Sequence, residues 1–290
     1  MIQDIAPHIL SNHYENRTSK PGDPVIYVRG KEVFCGISGG RILLPERIER
    51  TAPDCVYAFS LDGQSIFLCW KQVPEEGEGG IGIVWHNISD LRAASPAELR
   101  MAVITAWHLA VWYQDTVFCG RCGTRLVPDS TERMMRCPSC GRMIYPTIMP
   151  AVIVAVTDGD RILLTRYSGR SYRRFALVAG YTEIGETSEQ TAAREVMEET
   201  GVRIRNLHYY KSQPWGFSET LLTGFFCELD GPDRLTVDHS ELSEAVWLDR
   251  AQLAEQWDSR DGVSLTSEMI GLFLVGKDPI STAKTAAKQC

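Results

Sequence analysis

The sequence predicts an α+β chain, and three observations carry this prediction. Short strand-like runs separated by turn residues fill the first 94 residues, which are therefore expected to be mainly β. Four cysteines in two CxxC pairs follow, at residues 119–140. From Ala151 the pattern changes to strand, helix, strand. We therefore expect an N-terminal mainly β domain, a small cysteine-rich element and a C-terminal domain that mixes helices and strands.

Length, composition and charge narrow the class of protein. The chain has 290 residues, of which 44% are apolar and 23% charged, as in globular proteins. At about 150 residues per domain, this length suggests roughly two domains. Its apolar runs are shorter than the roughly 18 residues of a membrane span, and the N-terminus lacks the pattern of a signal peptide, so the cytoplasm is the expected location. The net charge of −7 disfavours a duplex-binding protein but leaves a small anionic ligand or a nucleic-acid end possible.

The N-terminal domain is predicted over residues 1–114 and ends in a helix. Ser95 is expected to cap this helix, with Pro96 in its first turn and Glu98 three residues after the cap. Apolar residues then recur at helical spacing. The strand-like runs before the helix lie at residues 24–28, 56–59, 66–70 and 81–85.

The two CxxC pairs predict a zinc ribbon at residues 115–146. Fourteen residues separate the pairs, a spacing that lets a short ribbon wrap one tetrahedral zinc ion. Four protein ligands close the coordination sphere, so we interpret one zinc per chain as structural. The other five cysteines are scattered, and an odd total favours reduced thiols. The predicted zinc ligands are Cys119, Cys122, Cys137 and Cys140.

A third domain is predicted over residues 147–275. A buried strand at 151–156, a turn at 158–160 and a returning strand at 161–165 are expected to begin it. A third strand at 175–180, a charged helix and a strand at 221–229 follow. Residues 263–276 look helical, and residues 276–290 are predicted to form a flexible tail.

The charged helix carries three glutamates close together. Thr187 with Gln190, or Ser188 instead, would open it, and Gly201 would end it. At 100° per residue, Glu198 lies about 60° behind Glu195 and Glu199 about 40° ahead of it. The helix would direct Ala192, Val196 and Ala193 towards the sheet.

Such a cluster of like charges has two interpretations. Carboxylates that converge from one helical turn suit Mg²⁺ or Mn²⁺, which would neutralise their repulsion and clamp a diphosphate. Arg194 could orient them. The alternative is a solvated acidic face of the helix, and the three glutamates alone do not decide between the two.

The full spacing resembles the signature of the Nudix hydrolases, G-x5-E-x7-R-E-U-x-E-E-x-G-U, where U is aliphatic. The resemblance implies an α/β/α sandwich with a mixed sheet, whose loop–helix–loop binds divalent metal and hydrolyses a nucleoside diphosphate linked to another moiety. The residues at its fixed positions are Gly180, Glu186, Arg194, Glu195, Val196, Glu198, Glu199, Gly201 and Val202.

Residues 212–220, SQPWGFSET, resemble the marker S-Q-P-W-P-F-P-x-S of the NADH pyrophosphatases. That family is also similar in having a four-cysteine ribbon before the Nudix domain. Gly216 and Ser218 replace prolines and Thr220 replaces serine, which puts substrate preference in doubt more than catalysis. The resemblance implies that substrate is held by Gln213, Pro214, Trp215, Gly216, Phe217, Ser218, Glu219 and Thr220.

The resemblance also implies roles for single residues. Glu195, Glu198, Glu199 and Glu241 would bind the catalytic metal, with Glu244 as the alternative to Glu241. Glu198 or Glu199 would act as general base, and Glu186 would fix the loop through Arg194. Tyr181 is expected to stack on nicotinamide, and Tyr145 and Glu132 align with substrate-contacting positions.

These features predict an enzyme that cleaves the diphosphate of NADH or NAD⁺ to nicotinamide mononucleotide and AMP with Mg²⁺ or Mn²⁺. The resemblance also implies action on the NAD cap at RNA 5′ ends and a homodimer. A local patch of Arg170, Arg173 and Arg174 could meet the RNA, or form only a solvated loop. The alternatives are a Nudix hydrolase of ADP-ribose or a dinucleoside polyphosphate, and a non-catalytic zinc-ribbon regulator that senses a nucleotide.

Overall fold

The structure is a computed structural model that describes residues 1–169, 174–257 and 262–281. The chain divides into two compact units. The first consists of Met1 and the residues from Met149 onward except Gly216–Glu219, and the second of Ile2–Ile148 together with Gly216–Glu219. The division of the second unit into an N-terminal domain and a ribbon stays a prediction.

The second unit contains a seven-stranded sheet, mostly antiparallel. The strands are β1 (Leu10–Ser11), β2 (Val25–Arg29), β3 (Glu32–Ser38), β4 (Arg41–Leu43), β5 (Val56–Leu61), β6 (Gln64–Cys69) and β7 (Ile83–Asn87). They run in the order β1-β5-β6-β2-β3-β4, and β7 also pairs with β3. Helix α1 spans Ala97–Asp115.

This sheet is buried on both faces because its central strands are apolar at successive positions. Ile26 and Val28 of β2 face one core, which α1 closes with Val103 and neighbouring apolar residues. Tyr27 lies between them in sequence and faces the opposite core. The predicted strands at 24–28, 56–59, 66–70 and 81–85 are confirmed with small shifts of their ends.

The predicted capping of α1 by Ser95 is wrong. The N-cap residue is Pro96, and no side chain caps the helix there. The Ser95 hydroxyl instead donates to the carbonyl oxygen of Gly40 at 3.0 Å, and the Ser95 backbone pairs with Gly40 and Ile42. The hydroxyl is therefore directed towards the turn before β4, away from the helix.

A three-stranded antiparallel sheet forms the cysteine-rich element. Trp112 near the end of α1 lies in a small core with Cys119, Leu126, Met135 and Cys137. Its strands are β8 (Val127–Pro128), β9 (Met135–Arg136) and β10 (Met143–Ile144).

The first unit is built on a six-stranded mixed sheet. The strands are β11 (Met149–Asp158), β12 (Arg161–Tyr167), β13 (Val178–Tyr181), β14 (Ile204–Trp215), β15 (Thr220–Leu229) and β16 (Leu242–Asp249). Strand β11 pairs in parallel with β15 and antiparallel with β12 and β13. Strand β14 pairs with the other edge of β15, and β16 pairs with the other edge of β12. The helices are α2 (Ser188–Thr200), α3 (Arg250–Gln256) and α4 (Leu265–Leu274).

Alternation along β11 builds the sandwich. Val152 and Val154 face one side, where Val196 of α2 joins them in a core. Ile153 and its alternate neighbours face the other side, where Met269 of α4 packs. The predicted α/β/α sandwich with a mixed sheet is confirmed, and so are the two hairpin strands, the strand near 221–229 and the C-terminal helix.

Some boundaries differ from the sequence-based expectation. The third strand begins at Val178, not at residue 175, because Ala176 makes only an isolated bridge with Thr165. In the predicted tail, Asp278 and Ile280 are buried, and Ile280 packs on the core beneath α4. Residues 282–290 lie outside the described residues. No described helix is long and apolar enough to cross a membrane.

Candidate functional site

The four cysteines of the ribbon come together as a metal site. Their sulfur atoms all lie within 4.8 Å of one another. The sulfurs of Cys119 and Cys140 are 3.6 Å apart, and those of Cys122 and Cys137 are 3.5 Å apart. Tetrahedral zinc with Zn–S bonds of about 2.3 Å requires sulfur separations of about 3.8 Å, so the set fits zinc and is far from disulfide distance. Interactions with Thr124 lower the pKa of the Cys122 thiol to about 6, which favours the thiolate that zinc binds.

Helix α2 is fixed at both ends by its own sequence. The Thr187 side chain accepts from the Gln190 backbone N–H, and the Gln190 side chain accepts from the Thr187 N–H, a complete capping box. Gly201 ends the helix with φ of 74°, in the left-handed region. Of the side chains expected to face the sheet, Ala192 and Val196 are buried, whereas Ala193 is exposed. The helix therefore has the predicted register, which leaves Ala193 at the edge of the buried face.

The Arg194 guanidinium binds carboxylates from the helix and from the loop before it. Its Nε and Nη2 donate to the two carboxylate oxygens of Glu186, at 2.7 and 3.0 Å. Nη1 donates to Glu195 at 2.7 Å and to Glu198 at 3.0 Å. Nη2 also donates to the Tyr181 carbonyl oxygen at 2.9 Å. The hydrogen bonds from Arg194 hold the pKa of Glu186 at about 2, so this carboxylate stays ionised at neutral pH.

Gly180 on β13 makes room for the Glu195 carboxylate. A Cβ atom on Gly180 would lie 1.9 Å from Glu195 Cδ and about as close to both of its oxygens. Only glycine fits this contact between strand and helix. The carboxylate is thus pressed against backbone while Arg194 binds one of its oxygens.

The glutamates of α2 occupy different environments. Glu195 is buried and Glu199 is only 2% exposed, whereas the Glu198 side chain is 61% exposed. Burial raises the pKa of Glu195, and the nearby charges of Glu198 and Glu241 raise it further against the opposing effect of Arg194. The alternative Glu244 instead pairs with Arg166, with an N–O distance of 3.2 Å.

These carboxylates do not form a compact ligand set. Among the described residues, only the four cysteines bring three or more ligand atoms within 4.8 Å of one another. Mutual repulsion separates carboxylates, and Arg194 draws Glu195 and Glu198 towards its own nitrogens. The sequence predicts that the glutamates share one face of α2. In the structure their oxygens do not converge on one point.

The predicted substrate residues of the first unit differ widely in exposure. The Tyr181 ring is 51% exposed, next to Gly180 on β13. The Gln213 side chain is fully buried, where it donates to the Val263 carbonyl at 2.8 Å and accepts from the Leu265 N–H at 2.7 Å. It thereby holds β14 to the start of α4. Of the other predicted contacts in this unit, Thr220 is buried, Trp215 is half-buried and Pro214 is exposed.

The remaining predicted substrate residues belong to the second unit. Gly216, Phe217 and Ser218 form a turn of 3-10 helix, which Glu219 follows at positive φ. Phe217 packs on the core beneath α1. In the ribbon, the hydroxyl of exposed Tyr145 donates to Glu132 at 2.6 Å, so these two predicted contacts meet.

The glycine at 216 has a packing reason. A Cβ atom there would lie 2.7 Å from Ile104 Cγ2 and 3.0 Å from the Ile104 carbonyl oxygen of α1. The departure from the proline of the family marker therefore coincides with a close backbone approach in this chain. The sequence gives no local signal of this approach, because Ile104 is more than 100 residues away.

Sequence reasoning missed supporting residues of the site. The Thr191 hydroxyl donates to Glu186 at 3.0 Å and assists Arg194 in holding that carboxylate. Its position one turn after Thr187 is a usable signal, since helical residues four apart share a face. Of the predicted arginine patch, Arg174 is exposed, and Arg170 and Arg173 lie outside the described residues.

Family comparison agrees with the fold and with both clusters. The family model described as the NUDIX domain matches residues 147–266. The model described as the NADH pyrophosphatase zinc ribbon domain matches residues 114–145. Residues 147–266 are therefore a Nudix domain. The ribbon is of the kind that accompanies the Nudix domain in NADH pyrophosphatases.

Two curated proteins that are similar to this chain have the same name. The chain is 38% identical over 164 residues to a protein of Escherichia fergusonii named NAD-capped RNA hydrolase NudC, a match that covers 56% of this chain and 63% of that protein. A protein of the same name from Escherichia coli O9:H4 (strain HS) is 43% identical over 140 residues, covering 48% and 54%. The chain thus spans little more than half the length of these relatives.

Solved structures of the superfamily are more distant. A NUDIX hydrolase from Nitrosomonas europaea is 22% identical with a TM-score of 0.45, and the match covers 55% of this chain and 91% of that chain.

Removing one cysteine ligand should release the zinc. We expect Cys137→Ser to lower zinc affinity by more than about 100-fold, because loss of even an outer partner of a ligand costs about 10–100-fold. Metal analysis after dialysis should give about one zinc per chain for the parent and far less for the variant. The half-buried Cys55→Ser is the control, and zinc lost equally from both variants would contradict the four-cysteine site.

Gly180→Ala should displace the Glu195 carboxylate. Since the new methyl group overlaps Glu195 Cδ, we expect Mn²⁺ affinity to fall by at least about 10-fold, as for lost partners of metal ligands. The cost to the fold should be small, because the displaced group ends a side chain. Titration of free Mn²⁺ by electron paramagnetic resonance measures the affinity. Gly271→Ala, with open space at its Cβ, is the control, and equal affinity in both variants would remove Glu195 from the metal site.

Gly216→Ala should destabilise the second unit. The methyl group meets both a side chain and a backbone oxygen of Ile104, so we expect a loss of about 1–3 kcal/mol in the free energy of unfolding, as for other overpacked sites. Denaturant titration measures this change. Gly120→Ala, whose new Cβ meets nothing within 4 Å, should leave the free energy of unfolding nearly unchanged. Equal unfolding midpoints for Gly216→Ala and Gly120→Ala would show that the turn at residues 216–218 accommodates the methyl group without cost.

Proposed function

We propose that the chain is a metal-dependent hydrolase that cleaves the diphosphate of NADH or NAD⁺ to nicotinamide mononucleotide and AMP. The observation that carries the proposal is the burial of Glu195 and Glu199 on the same helix. The Glu195 carboxylate lies against Gly180 and accepts a hydrogen bond from Arg194 at 2.7 Å. A solvated acidic face would expose these side chains. The zinc ribbon of the NADH pyrophosphatase type supports the substrate class.

Glu195, Glu199, Glu198 and Glu241 are the residues that we propose to hold the catalytic Mg²⁺ or Mn²⁺. Their oxygens are the donors that hard divalent cations prefer, and Gly180 leaves the space that the Glu195 carboxylate occupies. Such a cation neutralises charge on the diphosphate oxygens and lowers the pKa of water. The charge of Glu241 acts on Glu195, where it raises the pKa, and this favours Glu241 over Glu244, which is paired with Arg166.

Proton transfer and positioning are assigned to side chains of the protein. One glutamate takes the proton of the water that attacks phosphorus, and Glu198 and Glu199 are the two candidates. Glu198 is exposed and Glu199 is buried. Arg194 and Glu186 join α2 to the end of β13 and to the loop after it, and they are positioning residues.

We assign substrate contact first to Tyr181. Its ring is exposed at the end of β13, and its carbonyl oxygen accepts from Arg194, which also binds Glu195 and Glu198. Trp215, Pro214 and Thr220 at the ends of β14 and β15 are further proposed contacts. Contact by Gly216, Phe217, Ser218, Glu219, Tyr145 and Glu132 stays a prediction of the family resemblance. Gln213 is assigned to the support of this loop because backbone groups engage its side chain.

The relatives' name extends the proposal to the NAD cap of RNA, since the cap contains the same diphosphate. The proposal includes a homodimer, which the family resemblance implies. It also includes a cytoplasmic location, because the odd number of cysteines favours reduced thiols.

Replacing Glu199 by glutamine tests the activity. We expect Glu199→Gln to lower kcat with NADH by at least about 100-fold, because it removes a charge that acts on the transition state. Glu189→Gln, exposed on the first turn of the same helix, should leave kcat nearly unchanged. Products are separated by chromatography after incubation with Mg²⁺ or Mn²⁺, and circular dichroism checks the fold.

A substrate panel separates the alternatives. NADH, NAD⁺, ADP-ribose, a dinucleoside polyphosphate and NAD-capped RNA are compared at equal concentration by kcat/KM. A preference for ADP-ribose or the polyphosphate would keep the hydrolase but reject the substrate. Binding without turnover would reject the enzyme in favour of a nucleotide sensor.

A further inference from the structure

Two cysteines outside the zinc ribbon oppose each other across neighbouring strands. Cys69 ends β6, and Cys55 immediately precedes β5. The antiparallel register pairs Val56 with Leu68, so the next pair outward is Cys55 with Cys69. The zinc ribbon and the proposed hydrolytic site use neither residue.

The two thiols share one face of the sheet. Tyr57 and Phe67, two residues further along each strand, are paired and lie in the same core as Cys69, against which Cys55 packs. Directly opposed residues in antiparallel strands have Cα atoms about 4.5–5.5 Å apart. Disulfides span Cα separations of about 4.4–6.8 Å, so the strands already provide the required spacing.

The two sulfurs differ in access and surroundings. Cys69 is fully buried and donates to the Gln72 carbonyl at 3.1 Å, whereas Cys55 is half-buried. Cys55 contacts Thr51, with its sulfur 3.4 Å from the carbonyl oxygen and 3.8 Å from the hydroxyl. Hydrogen bonding with Cys69 lowers the pKa of Cys55 to about 7, and Thr51 and the Arg47 charge act in the same direction. Cys55 is therefore the thiol that ionises and meets solvent.

We propose that Cys55 and Cys69 form a redox-active dithiol that hydrogen peroxide converts to a reversible disulfide. The Cys55 thiolate attacks one peroxide oxygen, the O–O bond breaks, and Cys55 becomes a sulfenic acid as hydroxide leaves. The Cys69 thiol then attacks the Cys55 sulfur, an S–S bond forms, and water leaves with the Cys69 proton. Peroxide gains the two electrons that the two thiols lose. The disulfide fastens the β5–β6 hairpin.

Other described cysteines provide internal controls. Cys35 is fully buried, and burial raises the pKa of its thiol to about 12. Burial likewise raises the pKa of Cys227. Cys35 packs in the core on the other side of the sheet from Cys55 and Cys69, and Cys227 belongs to the first unit.

The sequence permits a direct test on the full, zinc-loaded chain. Cleavage after Arg50 and Lys71 releases residues 51–71, a peptide with Cys55 and Cys69 as its only cysteines. The chain is treated with one equivalent of hydrogen peroxide, denatured in N-ethylmaleimide, digested with trypsin and analysed by mass spectrometry. A zinc indicator follows the ribbon during oxidation.

We expect the peptide to carry two maleimides before oxidation. After oxidation the peptide should carry no maleimide, and its mass should be two hydrogens below that of the unlabelled, reduced peptide. Reduction with dithiothreitol before labelling should restore both maleimides. Cys69→Ser should stop at a sulfenic acid on Cys55 that dimedone traps, and Cys35→Ser should behave as the parent. In Cys55→Ser, Cys69 should react at least about 10-fold more slowly, because its thiol is buried and protonated.

Several results would overturn the proposal. Two maleimides retained after oxidation would show that the pair does not react. Dimedone labelling of Cys55 in the parent without loss of hydrogens would show that Cys69 does not resolve the sulfenic acid. Oxidation of the pair only after zinc release would make it a consequence of ribbon damage.

Discussion

The Arg194 guanidinium is the contact on which the carboxylate site depends. Three glutamates within about one turn of α2 repel one another, and a fourth carboxylate, Glu186, enters from the loop before the helix. One planar cation binds Glu186 through two nitrogens and Glu195 and Glu198 through a third, and fixes the Tyr181 carbonyl as well. Because the cation offsets the repulsion and joins the loop to the helix, the capping box and Gly201 can hold an otherwise unfavourable sequence in helical form.

Close backbone approach is the second constraint, and glycine meets it in both units. On β13, Gly180 lets the strand touch the Glu195 carboxylate, and the pairing of Gly180 with Val152 of β11 fixes the strand at that depth. In the second unit, Gly216 lets its turn lie against Ile104. The first glycine belongs to the Nudix signature, whereas the second replaces a proline of the marker. One family feature and one departure from it thus have the same steric cause.

The cysteine cluster and the carboxylate cluster differ in geometry. Four thiolates surround a single point in the ribbon and leave no open position, which is the arrangement of a structural zinc. The carboxylates of the first unit do not converge on one point, because their own charges repel and Arg194 draws Glu195 and Glu198 to its nitrogens. The marker residues are divided between the two units, so its sequence continuity does not correspond to one structural element.

The sequence alone determined the fold class, eight of the sixteen described strands, the ends of α2 and the four cysteines of the ribbon, because capping, alternation and ligand spacing are local properties. It did not predict strands β14 and β16, whose polar and charged residues break the alternation and which form by pairing with buried neighbours. It assigned Ser95 to the wrong partner. Only the tertiary structure decided that Glu195 and Glu199 are buried while Glu198 is exposed, that the charge of Glu241 raises the pKa of Glu195 while Glu244 pairs with Arg166, and that the register of β5 and β6 continues to Cys55 opposite Cys69. These outcomes depend on strand register and on which face of an element is covered, and residues distant in sequence set both.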